Sequence, residues 1–476
     1  MEAIRFFNTL SRKCEEFISF ETGKASVYTC GPTVYHFAHI GNLRTYIFED
    51  ILTRLLRKAG YEVLHVMNIT DVGHLQSDAD SGDDKMILAS AREQKTPWEI
   101  AKFYEEAFFQ NCAQLNIVRP NIVCRATDHV AEIISLVKRL EEDGYAYTVD
   151  GNVYFDVNKF PRYRDFGKLA PIECSTASRV DSDSRKRDQR DFVLWFSQSK
   201  YPNQVMKWES PWGTGFPGWH IECSAMAMKY LGNTVDIHCG GIDHIPVHHT
   251  NEIAQTEAAI GKKWVNYWLH GEFLNVDNAK MSKSSGEFLT LDSLIQNGFE
   301  PVHYRFYCLN SHYRNSLTFS FDLLEATRKD FEAIKCRIIS WQYENSTDED
   351  VATSSLELKK LEYYKDAFWN AIANDLDTHS AMQVFRNVIK DSTVTNLKKM
   401  DLLLDFDLIL GLDVANFMRY ELTNEQQQSL QLRIKARINK DFATSDKIRN
   451  EFLQQGIILN DEKDGSVQWY LVRRIK

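Results

Sequence analysis

The sequence predicts an α/β protein: a parallel-sheet domain interrupted by an insertion and followed by a helical region. Three observations predict it. A β-rich run, Ala25 to Cys30, is followed by a helix-period pattern in which Leu43, Ile47, Ile51, Leu55 and Ala59 share one face. A second strand-like run, Tyr61 to Thr70, comes next. Strand, helix and strand within about fifty residues make a right-handed βαβ unit, hence a parallel sheet. The second observation is a late return of the pattern, with a buried strand at Thr234 to His238 and a helix at Asn251 to Ala259. The third is a change of composition after about Thr318, where the chain becomes rich in Leu, Lys, Glu and Asp and nearly free of Gly.

Each element has a local reason. Gly31-Pro32 ends the first strand and Gly60 closes the first helix. Val63, Leu64, Val66, Met67 and Ile69 make the second strand apolar on both faces, as a buried parallel strand requires. Between the two halves the pattern changes: a helix from Glu132 to Glu142 stops at Gly144, Val153 to Val157 reads as a strand, and Ser178 to Arg190 is a charged, loop-like stretch. This divides the chain into sheet-domain halves at 1–125 and 191–290, a connective insertion at 126–190, a linking segment at 291–320, and a helical domain with a C-terminal tail at 321–476. Ser346 to Ser355 reads as an exposed loop between helices.

Bulk properties narrow the function. At 476 residues, several domains are expected. Hydrophobic residues at 43% and charged residues at 26% are an ordinary globular composition. No stretch approaches the roughly 20 apolar residues that cross a bilayer, and the start lacks the layout of a secretory signal. A cytoplasmic enzyme is expected. The nine cysteines form no C-x-x-C pair, so they read as buried thiols or metal ligands. A net charge of -10 excludes an overall polycation, although Gln431 to Lys476 carries ten basic residues against six acidic ones. A solvated helix face accounts for that tail as well as RNA does.

Two short motifs carry chemistry. His39-Ile40-Gly41-Asn42 follows a strand and opens a helix, where free N–H groups and the positive dipole end favour phosphate. Gly41 lets a nucleotide approach the backbone. Lys280-Met281-Ser282-Lys283-Ser284 brings two lysines and two hydroxyls, able to place positive charge on phosphates as charge builds in a transition state. Together they resemble the class I aminoacyl-tRNA synthetases, which implies a Rossmann-like catalytic domain that binds ATP, with Mg2+, and forms an aminoacyl adenylate. On that resemblance His39, Lys280 and Lys283 are catalytic, and Gly41, Asn42, Ser282 and Ser284 complete the ATP site. The first motif departs from the family pattern by ending in Asn42 rather than His. An amide donates a hydrogen bond but carries no charge, so modest rate tuning is expected.

A second set of motifs narrows the resemblance. Thr29 to Tyr35, Gly218 to Met226, His248 to Gln255, Asn68 to Asp71, His312 to Arg314 and Ala436 to Phe442 are together similar to the cysteinyl-tRNA synthetase family over nearly the whole chain. The resemblance implies one zinc ion per chain, held by Cys30, Cys223, His248 and Glu252, which recognises the cysteine sulfur. It implies tRNA(Cys) as acceptor, with the insertion and the 291–320 segment toward its stem and the helical domain toward its anticodon. The residues agree with the ligand set. His248 and Glu252 are spaced i, i+4 on one predicted helix face, Cys30 and Cys223 each follow an element at the sheet's carboxyl edge, and all four are ordinary zinc donors.

Gly31, Thr70, Trp219, His238 and Asp243 are candidate substrate contacts. Trp219 would wall the thiol pocket, His238 close it, and Thr70 and Asp243 orient the amino acid's ammonium or carboxylate. His36, His65 and His129 are assigned no role. A structural zinc, a ligase joining cysteine to a small amine, and a non-catalytic zinc- and RNA-binding protein are the competing readings. No membrane contact and a monomer are expected.

Overall fold

Strands that are apolar on both faces can be buried only inside a parallel sheet. The computed structural model describes residues 2–72, 75–77, 81–163, 165, 183–197, 204–276, 289–344, 354–417, 421–461 and 466–471. Five parallel strands form its central sheet: β1 (Lys24–Thr29), β2 (Glu62–Ile69), β3 (Ile122–Arg125), β4 (Val235–Gly241) and β5 (Val265–Gly271). Their spatial order is β5-β4-β1-β2-β3. Chain direction through the sheet therefore reverses between β1 and β4, and open α/β sheets bind ligands at the carboxyl edge of such a point. The register sets His238 on β4 between Tyr28 of β1 and Trp268 of β5.

Helix α1 (Ile40–Lys58) joins β1 to β2 and buries Leu43, Ile47, Ile51 and Leu55 as its periodicity predicts. Helices α2 (Trp219–Leu231) and α3 (Thr250–Ile260) flank β4 in sequence. The insertion is a four-stranded antiparallel sheet, Ala146–Val149, Asn152–Phe155, Phe192–Phe196 and Phe216–Pro217. It runs past residue 190, because Phe192 pairs with Phe155 and Phe196 with Phe216. Val153, Phe155, Leu194 and Trp195 pack there against Ile133, Val137 and Leu140 of the helix Val130–Glu142.

The chain divides into two compact units, and the sheet, the insertion and 311–319 belong to the first. The second contains the helices Pro301–Leu309, Phe321–Glu344, Thr378–Lys390 and Asn396–Leu410, as the Gly-poor composition predicts. Its tail is not wholly helical. Helices Asn424–Ile438 and Phe442–Gln454 are followed by an antiparallel pair, Ile457–Asp461 with Val467–Leu471. Leu430, Ile448, Phe452, Ile457 and Leu459 form the tail's own core, and Arg433 forks onto Asp461 at 2.7 and 2.8 Å. Among the described residues no helix is long and apolar enough to cross a membrane. The predicted loop Ser346 to Ser355 lies outside the described residues except at its last two positions; of the charged stretch Ser178 to Arg190, residues 183–190 are described and form turns and bends.

A candidate metal and adenylation site

Cys30 is the first residue after β1, at the point where chain direction reverses, and is 5% exposed. The turn there needs glycine: a Cβ on Gly31 would lie 1.7 Å from the Asn68 carbonyl oxygen. Gly31 N–H donates to Asn68 Oδ1 at 3.0 Å, so Gly31 fixes the position of Cys30. Cys223 does not follow an element, as the sequence suggested; it lies inside α2, one turn from the amino end. His248 sits in a π-helical turn, Ile245–His249, that runs into α3, where Glu252 occupies the first turn. Such wide turns accommodate side chains that a regular helix would splay apart.

The ligating atoms of Cys30, His248, His249 and Glu252 lie within 4.8 Å of one another, all buried. His248 Nε2 is 3.0 Å from Glu252 Oε1, and Cys30 Sγ is 3.3 Å from His249 Nε2. Cys223 is buried beside them, where Cys30 and His248 hold its thiol below the ordinary pKa. Three of the four residues predicted from sequence, Cys30, His248 and Glu252, are thus brought together, with Cys223 buried beside them; His249, which the sequence reading did not assign, completes the cluster. The doubled histidine was its signal.

Charge in this cluster is shared. Cys30 lowers the Cys223 pKa, while burial raises that of Cys30. Burial opposes charge on His248 and on Glu252, yet each overcomes it: Glu252 and Cys223 raise His248, while His238 and His248 lower Glu252. His249 and His270 are held neutral by burial and by neighbouring imidazoles.

A layer of imidazoles and indoles backs these groups. His220 Nδ1 meets His248 Nδ1 at 2.9 Å, and His238 Nε2 meets the second Glu252 oxygen at 3.0 Å. His249 Nδ1 meets His270 Nε2 at 2.8 Å, and His270 in turn meets Thr9. Such outer partners fix ring tautomer and orientation. His238 is fully buried and reaches the cluster through Glu252. Trp219 stacks on His248 with centroids 4.1 Å apart and keeps part of its surface exposed.

The adenylation half lies at the amino end of α1. His39 is the N-cap; its Nδ1 accepts from Asn42 N–H at 3.1 Å, and Asn42 Oδ1 accepts from His39 N–H at 3.2 Å. This capping box accounts for Asn42: its amide oxygen closes the helix end. Because Nδ1 accepts, the neutral ring carries its proton on Nε2, and burial lowers the His39 pKa. A Cβ on Gly41 would stand 3.0 Å from that ring and press against it. The Asp243 carboxylate acts on His39, while Thr70 is buried and its hydroxyl accepts from the Asn68 side-chain amide at 3.3 Å. Lys280, Ser282, Lys283 and Ser284 lie outside the described residues. His65 and His129 bond to Thr29 and Tyr230, consistent with structural roles.

A parallel sheet carrying a nucleotide-type helix start and a buried sulfur, nitrogen and oxygen cluster at its carboxyl edge defines a class I synthetase core. Residues 16–329 match the family described as tRNA synthetases class I (C) catalytic domain. Methionyl-tRNA synthetase of Mycobacterium tuberculosis, solved with methionyl-adenylate, shares the fold at a TM-score of 0.60 and 14% identity, covering 83% of this chain and 92% of that one. Cysteine–tRNA ligase of Treponema denticola is 45% identical over 98% of this chain and 99% of its own length. That of Borreliella burgdorferi is 42% identical over 97% and 98%. The chain belongs to the cysteine–tRNA ligase family.

Proposed function

We propose that this chain activates cysteine with ATP and transfers it to tRNA(Cys), with a zinc ion on Cys30, Cys223, His248 and Glu252 recognising the substrate sulfur. The observation that carries the metal reading is the donor set itself: the Cys30 thiol, the His248 and His249 imidazoles and the Glu252 carboxylate lie buried within 4.8 Å of one another, with the buried Cys223 thiol beside them. These are zinc donors in kind and number. When bound, zinc supplies a soft Lewis acid that favours a sulfur donor in its deprotonated form.

The chain's own residues do the rest. His220 and His238 hold His248 and Glu252 in place, and Trp219 walls the side on which a small side chain enters. Serine offers a harder, far less acidic oxygen, so a site built for sulfur rejects it, by ~10⁴–10⁵ where a polar contact is lost outright. The cysteine carboxylate attacks the ATP α-phosphorus and pyrophosphate leaves. His39 Nε2–H and the Lys280 and Lys283 ammonium groups stabilise the phosphate charge that develops. Thr70 and Asp243 orient the amino acid. A terminal ribose hydroxyl of tRNA then attacks the activated carbonyl, and AMP leaves. In the tail, Trp469 packs against the core and also lines a groove of about 980 Å³ with Gln427, Gln431 and Lys435, a surface fitted to a base.

Exchange of pyrophosphate into ATP, screened across amino acids, tests this reading. Cysteine alone should support exchange, and chelation of the metal should remove cysteine activation while leaving ATP binding nearly intact. Equal loss of both would make the metal structural, and exchange without charging of tRNA(Cys) would favour a small-amine acceptor.

A further inference from the structure

Helix α1 does more than present His39 and Gly41. One turn further on, Arg44 is 5% exposed, and its guanidinium is spread over four backbone carbonyls. Nη1 donates to Glu272 at 2.9 Å and Phe273 at 2.7 Å; Nη2 donates to His312 at 3.2 Å and Asn315 at 2.5 Å. The first two carbonyls lead into β6 (Leu274–Val276), the other two into β7 (Leu317–Phe319), and β6 and β7 pair in parallel from Leu274–Leu317 to Val276–Phe319. Leu274 also lies 3.7 Å from the place of a Cβ on Gly41.

Strand β6 runs directly into the sequence that carries Lys280 to Ser284. The chain is described again at Leu289, whose carbonyl accepts from Ile40 N–H at 2.8 Å, and Thr290 bridges His39. Both flanks of the lysine motif are therefore anchored on the first two turns of α1, the exit by backbone at His39 and Ile40, the entry by Arg44. Burying a cation is costly unless its donors are satisfied. A planar fork with five N–H groups can reach four separated acceptors; a lysine ammonium, with three hydrogens on one atom, cannot.

We propose that Arg44 is a positioning residue for adenylate formation: its fork sets where the segment bearing Lys280 and Lys283 departs relative to His39 and Gly41. The proposal rests on the reading that those lysines act in the adenylate step. A misplacement of about 1 Å costs on the order of 100-fold in such positioning, so the expected loss is kinetic.

The test compares Arg44→Lys, Lys283→Ala and the double variant in single-turnover adenylate formation, with metal content, melting temperature and cysteine KM measured on each. Arg44→Lys should slow the step ~10–100-fold with full metal content and cysteine KM within about twofold of the parent. The double variant should be no slower than Lys283→Ala alone by more than about twofold, because Arg44 acts through that segment. Arg44→Gln, which leaves no charge to bury, gives the same readout where Arg44→Lys does not fold. A normal rate in Arg44→Lys beside a slow Lys283→Ala overturns the proposal. So do losses that multiply, or a loss matched in cysteine KM and melting temperature, which marks a merely structural role. A normal rate in Lys283→Ala instead removes the reading on which the proposal stands.

Discussion

Cys223 and His249 compete for one place in the metal cluster, and their surroundings decide between them. Both ring nitrogens of His249 already have partners, Cys30 on one side and His270 on the other, whereas Cys30 and His248 lower the pKa of the Cys223 thiol. Cys223→Ala should therefore lose stoichiometric zinc, measured by atomic absorption on the purified protein. His249→Ala should retain it and lose at most ~10–100-fold in affinity, as expected for a supporting residue. The reverse result would exchange their roles. The family resemblance of the motifs pointed to Cys30, Cys223, His248 and Glu252, and only the i, i+4 pair His248 and Glu252 was legible from spacing. His238 was read from the sequence as closing the pocket; His220 and His270 were not legible, since they meet the cluster only through the packing of β5 and α2.

At the scale of one element, helix α1 carries an unusual burden. Glu49 on its inner face is 1% exposed, and both carboxyl oxygens are buried without a hydrogen-bond partner. Together with Tyr46, His65, Met67, Phe108 and Cys112 it lines a cavity of about 100 Å³. Burial raises its pKa well above the ordinary carboxyl value. A carboxyl that binds its proton more tightly when folded loses native stability as pH rises above its unfolded pKa, ~4.3. Glu49→Gln keeps the shape without that proton. Its melting temperature should exceed the parent's at pH 7.5, and the difference should shrink toward zero near pH 4. A gap independent of pH would show that Glu49 is ionised in the fold. The helix itself was readable from its apolar period. The insertion's edge was not, because Phe192–Phe196 is assigned by pairing with Phe155 and Phe216, which are distant in sequence.

Across the whole molecule, the proposed chemistry and the proposed RNA recognition fall on different parts of the chain. The metal cluster and His39 belong to the first compact unit, while residues 421–471 pack around their own small core within the second. Ending the chain after residue 420 should weaken charging of tRNA(Cys) at least tenfold in kcat/KM, a loss of about 1.4 kcal/mol, and spare pyrophosphate exchange. Equal loss in both assays would make the tail part of the catalytic fold. The helical character of the C-terminal region was visible in the shift to Gly-poor, Leu-rich sequence; the strand pair Ile457–Asp461 with Val467–Leu471 was not, since that composition carries no sign of strand pairing. The central claim is that substrate sulfur becomes a donor to the protein's own metal. Cobalt in place of zinc makes sulfur ligation visible as charge-transfer absorption. Saturating cysteine, but not serine, should strengthen that band in the full-length chain, whereas an unchanged spectrum with cysteine bound would contradict the account.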